Sequence, residues 1–184
     1  MERFLTVAGF SSSKFSSVAV ALLALAGSAF AQDGVSKLPN GASSLQETYQ
    51  DWSLACQSTP QAICTVSQQQ TQQNGQRVMA IELRRNADGT LAGNLILPFG
   101  LALDAGVVLQ IDDAAPQKPL RFSTCLPAGC LVSLGFDAKA VVALKTGTSL
   151  KVKVQGMDAK ELTLPISLKG LPAAVDRLAA LGSN

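Results

Sequence analysis

The residues with the widest chemical scope are four cysteines, Cys56, Cys64, Cys125 and Cys130. Thiolates can hold zinc, exchange disulfides catalytically, or bond to one another. Zinc ribbons and thiol oxidoreductases both use a tight Cys-x2-Cys spacing. Neither pair here has it, since seven residues separate the first pair and four the second. The chain also contains no histidine. That removes the usual base of a catalytic Ser or Cys and the commonest partner of cysteine in zinc sites. Two structural disulfides are the expectation, and four cysteines allow three pairings. The local pairing, Cys56 with Cys64 and Cys125 with Cys130, is the one expected. Leu126-Pro127-Ala128-Gly129 forms a turn between the second two. Residues facing each other at a non-hydrogen-bonded antiparallel site lie about 4.5 Å apart at Cα, within disulfide reach. Cys56 and Cys64 likewise flank a Ser-Thr-Pro loop between two expected strands.

Other groups carry less. Asp112-Asp113 invites a metal or an acid–base pair, but neighbouring strand residues point to opposite faces. A turn, with Asp chosen for local hydrogen bonding, is the expected role. Asp104-Ala105-Gly106 reads the same way. Gly100 and Gly106 do not make a phosphate loop, because no Lys-Ser/Thr follows and no helix starts there. No catalytic, metal-ligating or cofactor-binding residue is assigned, and the chain is expected not to be an enzyme and to need no cofactor. Trp52, the only Trp, alternates with Leu54 and Cys56 and is expected to pack in the core against a disulfide. The Gln-rich stretch 68–76 carries the candidate partner-binding loop, Gln72, Gln73, Asn74 and Gly75.

The elements that must position these residues are short strands. Apolar alternation predicts strands at Trp52–Cys56, 63–69, 77–84, 91–97, 107–111, 120–125, 130–134, 150–154 and 162–168, nine in all. Asn74-Gly75 predicts a tight hairpin with positive φ at both residues. Asp137 caps a short helix from Ala138 to Leu144 that Gly147 ends. Pro172 opens a C-terminal helix with Leu171, Val175, Leu178 and Leu181 on one face. That helix is expected to plug one end or cover an edge. The fold class is all-β and mainly antiparallel: a β-sandwich or partly open barrel with a short internal helix and a C-terminal helix.

The N-terminus reads as an address. Arg3 and Lys14 precede the apolar run Val18–Gly27, and Ala29-Phe30-Ala31 offers small residues for cleavage. The run is too short for a membrane-spanning helix, which needs roughly 20 residues. Residues 1–31 are therefore expected to be a signal peptide, 32–48 a flexible leader, and 49–184 a single disulfide-bonded β domain. Removing 31 of the 184 residues leaves 153, enough for one core. Arg3, Lys14 and Glu2 leave with the signal, taking the balance from 15 basic and 13 acidic residues to 13 and 12. So even a balance argues against nucleic acid or an anionic membrane as partner. No Cys follows the cleavage site, so no lipid anchor is expected.

Four segments, in order, carry a resemblance. Trp52-x3-Cys56 with Cys64 comes first, then Leu97-Pro98-Phe99-Gly100-Leu101-x-Leu103-x2-Gly106-Val107-x-Leu109-x-Ile111-Asp112. Cys125-x3-Gly129-Cys130 follows, and Leu164-Pro165-Ile166-Ser167-Leu168-x-Gly170 closes the series. Together they resemble the invasion-associated locus B family of bacterial exported proteins, over roughly Tyr49 to Leu181. The resemblance implies a protein of the periplasm or outer envelope, or a secreted one. In pathogenic members it implies an association with entry into host cells. A protein partner in that compartment, bound through exposed loops or a sheet edge, is expected because the chain offers no histidine, metal-ligand set or nucleophile motif. The resemblance transfers no catalytic residue.

Overall fold

The computed structural model describes residues 38–58, 62–75 and 77–182. The expected signal peptide and residues 32–37 of the expected leader lie outside them. The chain enters through a single 3-10 turn, Pro39–Gly41, and then forms β1 (Ser44–Tyr49). Next come β2 (Trp52–Ser58), β3 (Ala62–Thr71), β4 (Arg77–Arg85) and β5 (Leu91–Leu97), each antiparallel to the strand before. A second 3-10 turn, Leu103–Ala105, precedes β6 (Val108–Ile111), β7 (Phe122–Leu126) and β8 (Gly129–Phe136). Helix α1 (Ala138–Thr146), β9 (Ser149–Gln155), β10 (Glu161–Ser167) and helix α2 (Leu171–Ala180) complete it.

The strands make two open sheets. One has seven strands in the order β1-β2-β3-β4-β5-β8-β7, the other three in the order β10-β9-β6, and every pairing is antiparallel. Alternation decides which side is buried. In β2, Trp52, Leu54 and Cys56 are buried while Ala55 and Gln57 are exposed. In β9, Leu150, Val152 and Val154 are buried between half-exposed lysines and glutamine. The inward faces of both sheets and of both helices join one apolar core. The all-β antiparallel expectation is met, and neither sheet closes into a barrel.

Ten strands are present among the described residues where nine were expected. The added one is β1, whose residues Ser44 to Thr48 fall in the expected flexible leader. Its alternation is weak because no residue of β1 is fully buried. Pairing with β2 along Ser44–Tyr49 and an ion pair to α2 hold it instead.

Both helices bury an apolar face in the core. Asp137 caps α1, its carboxylate accepting from the Ala140 N–H at 2.7 Å, as the sequence indicates. Helix α2 buries Leu171, Ala174, Val175 and Leu178 and lies against β1, β2, β3 and β4. Of the two expected roles, plugging an end or covering an edge, it is nearer the second: it lies against four of the seven strands of the large sheet, the edge strand β1 among them. Its entry requires Gly170, which has φ +87°, and a Cβ there would fall 1.9 Å from the Tyr49 carbonyl oxygen. Lys145 of α1 pairs with Asp176 of α2 at 2.6 Å.

Candidate functional site

The structure joins Cys56 to Cys64 and Cys125 to Cys130, and no cysteine is free. Each bond links directly opposed residues of adjacent strands, with Cα separations of 4.0 and 3.9 Å. The first lies between the interior strands β2 and β3 and faces the core. The second ties β7, the last strand of the sheet, to β8. With both bonds formed, no sulfur is free to ligate zinc or to act as a nucleophile.

The Gln-rich stretch divides in two. Gln68 and Gln70 share a face of β3, and Gln68 is the one buried polar residue among those described. Its amide donates to the Ser167 carbonyl at 2.9 Å, and the Gln70 amide donates to the Pro165 carbonyl at 2.6 Å. Beyond a register shift at Gln70/Thr71, the candidate loop Gln72, Gln73, Asn74 and Gly75 is fully exposed. The Gly75 N–H donates to the Gln72 carbonyl at 2.9 Å. Among the described loop residues only Gly75 takes positive φ, at +80°, so the two-residue Asn-Gly hairpin turn is not formed. The turn is longer because the shift at Thr71 ends the regular pairing early.

Trp52 is 1 % exposed, so it stacks on no ligand. Its indole N–H donates to the Ser167 carbonyl at 2.9 Å, the acceptor that Gln68 also uses. That carbonyl is available because β10 is an edge strand paired only with β9. Leu168 N–H bonds to the Thr148 carbonyl, so the even-numbered residues of β10 face β9. Pro165 and Ser167 then present their carbonyls outward, and Pro165 has no N–H to leave unpaired. The side chains of Trp52, Gln68 and Gln70 close that edge.

The carboxylates do not form a catalytic pair. Asp112, at φ +45°, accepts from the Thr148 hydroxyl at 2.6 Å and from the Thr148 and Ser149 N–H groups. These bonds, the hydroxyl first, hold its carboxyl below the usual range. The expected turn is present, with the Ala114 N–H on the Ile111 carbonyl, but the Asp112 carboxylate bonds 36 and 37 residues downstream instead of within that turn. Asp113 pairs instead with Lys151 at 2.9 Å. Elsewhere, Glu47 takes a bidentate bond from Arg177 (2.8 to 3.1 Å) and one from the Tyr49 hydroxyl at 2.6 Å. Arg177, then Tyr49, lowers the Glu47 pKa, and Glu47 raises that of Tyr49. Among the described residues no group of three or more His, Cys, Asp or Glu could hold a metal ion. No helix among them is long and apolar enough to cross a membrane.

Turns also expose apolar side chains that no sequence pattern marks. Phe99, Leu103, Leu126 and Met157 are exposed large apolar side chains from separate segments. Phe99 shares a groove with Pro127 and Ala128 at the β7–β8 turn, and the Met157 N–H bonds to the Gly100 carbonyl. Alternation assigns residues to faces only within strands, and these four lie in or next to turns.

Comparison with known proteins gives a consistent result. The family model for the invasion associated locus B (IalB) protein matches residues 52–179. Invasion protein B homolog of Brucella abortus is 50 % identical over 147 residues, covering 78 % of this chain and 84 % of that one. Invasion protein B of Bartonella bacilliformis is 34 % identical over 173 residues, covering 88 % and 93 %. The crystal structure of invasion associated protein B from Bartonella henselae superposes with a TM-score of 0.71 at 35 % identity, covering 74 % of this chain and 96 % of that one. The chain belongs to the invasion associated locus B (IalB) protein family.

Proposed function

We propose that this is a non-enzymatic exported protein of the bacterial envelope that works by binding a protein partner. Where the source is a pathogen, it contributes to host-cell invasion. The carrying observation is the 50 % identity to a protein named for invasion, over most of both chains. Export is supported by the charged, apolar and small-residue order of residues 1–31 and by two disulfides, which persist in oxidising compartments. Partner binding is supported by the exposed Gln72–Gly75 loop and by the apolar side chains around the β7–β8 turn.

The test is photo-crosslinking in the source cell from a benzophenone residue placed at Gln73, with fractionation and N-terminal sequencing of the product. The expected result is a mature chain starting near Gln32 in the periplasmic fraction, with a discrete protein adduct. An uncleaved cytoplasmic product, or no adduct from this position or from Phe99, overturns the reading.

A small-molecule carrier is the second reading. A surface groove of about 600 Å3 favours it; it is lined by Ile111, Asp112, Ala114, Lys139, Ala140 and Thr146 among others. Native mass spectrometry of the purified protein decides it: a co-purified small molecule supports a carrier, and an unliganded mass counts against one.

A further inference from the structure

The two disulfides occupy opposite environments. Cys56 and Cys64 are 2 % and 3 % exposed, and their strands are flanked in the sheet by β1 and β4. A thiolate reaches that bond only when the sheet opens. Cys125 is exposed and Cys130 is buried, at 3 %. The bond between them lies on β7, an edge strand of five residues that pairs only with β8 and shifts register between Phe122 and Thr124. Among the described residues, no backbone hydrogen bond reaches the outer side of β7. A solvent-open groove of about 450 Å3 runs along that strand and includes Cys125 in its lining, with Leu103, Asp104 and Arg121.

We propose that Cys125 is the protein's site of thiol–disulfide exchange and that Cys56–Cys64 is inert in the folded state. An external thiolate attacks the Cys125 sulfur, the approachable one. The new bond joins the incoming sulfur to Cys125 Sγ while the Cys125–Cys130 bond breaks, and its electron pair leaves on Cys130 Sγ, which then takes a proton from water. The product is a mixed disulfide on Cys125 and a free thiol at Cys130. A second thiolate, or Cys130 itself, resolves it. The co-reactant class is a thiol: a small one such as glutathione, or the dithiol of an oxidoreductase. Attack depends on access to the sulfur as well as on thiolate content, so exposure sets the order of reaction. A local opening of an edge hairpin also needs far less free energy than global unfolding.

The experiment treats the oxidised, folded protein with reduced glutathione at neutral pH without denaturant. The reaction is acid-quenched over time, and adducts are located by peptide mass spectrometry. The expected first adduct is on Cys125, at a rate at least about tenfold above any reaction at Cys56 or Cys64. Low urea should leave the Cys125 rate unchanged and accelerate only the other pair. The Cys56→Ala/Cys64→Ala variant should still take up glutathione, and Cys125→Ala/Cys130→Ala should not. A first adduct on Cys130, Cys56 or Cys64, or simultaneous opening of both bonds tracking urea, overturns the proposal. Should the first double variant fail to fold, the site map on the parent protein decides alone.

Discussion

The Trp52 indole nitrogen lies 2.9 Å from the Ser167 carbonyl oxygen, a hydrogen bond that joins the large sheet to the open edge of the small one across 115 residues of sequence. Gln68 donates to the same oxygen at 2.9 Å. One half-buried acceptor with two donors tolerates the loss of one better than the loss of both. Trp52→Phe should lower stability by about 1–3 kcal/mol, and Gln68→Met by about 1 kcal/mol. The double variant should lose more than the two together, because the half-buried carbonyl then has neither donor. Urea unfolding of the four proteins measures the coupling. Additive losses would mean that the two donors do not share the acceptor in solution.

The Glu47–Arg177 pair predicts a pH dependence. The folded carboxyl titrates below its usual value because Arg177, then Tyr49, hydrogen-bonds its charged form. A depressed carboxyl contributes stability above the unfolded pKa, about 4.3. That contribution is lost as pH falls through the folded value. Glu47→Gln should therefore melt below the parent at pH 7, with the gap narrowing as pH falls below about 4. A gap independent of pH would show that the charge of Glu47 contributes nothing. The pair is partly exposed, so added salt should shrink the gap as well.

Ala159 adopts φ +63° in the turn between β9 and β10. A left-handed non-glycine residue costs roughly 1–2 kcal/mol. Glycine removes that strain but adds unfolded-chain entropy worth about 0.4–1 kcal/mol. Ala159→Gly should therefore stabilise by about 0.5–1 kcal/mol, read as a higher urea midpoint at unchanged slope. A lower midpoint would place Ala159 outside the left-handed region.

Removing the edge disulfide tests its structural share. Cys125→Ala with Cys130→Ala should lower stability by about 2 kcal/mol or more. Unchanged thermal unfolding of the double variant would mean that the bond is not formed in the purified protein.

What the sequence determined by itself was local. Alternating residues such as Trp52-Leu54-Cys56 and Leu150-Val152-Val154 marked strands, because a strand turns successive side chains to opposite faces. Asp137 and Gly147 marked the ends of α1: the Asp137 carboxylate accepts from the Ala140 N–H, and Gly147 returns its N–H to the Ala143 carbonyl as the backbone turns extended. The cysteines could be paired because each pair flanks a single short turn. The exposure of Gln72 to Gly75 followed from their place at a hairpin tip. Tertiary structure alone decided the rest. Ser44–Tyr49 became a strand although nothing in it is fully buried, because β2 pairs with it and Arg177 grips Glu47 from 130 residues away. Gln68 and Gln70 looked like part of a solvated tract, yet they are donors to an edge 99 and 95 residues downstream. The partition into two sheets, the closure of β10 by Trp52 and the exposure of Cys125 at a sheet edge depend on which distant segments meet. Such meetings are set by packing of the whole core, and no local pattern of residue types encodes them.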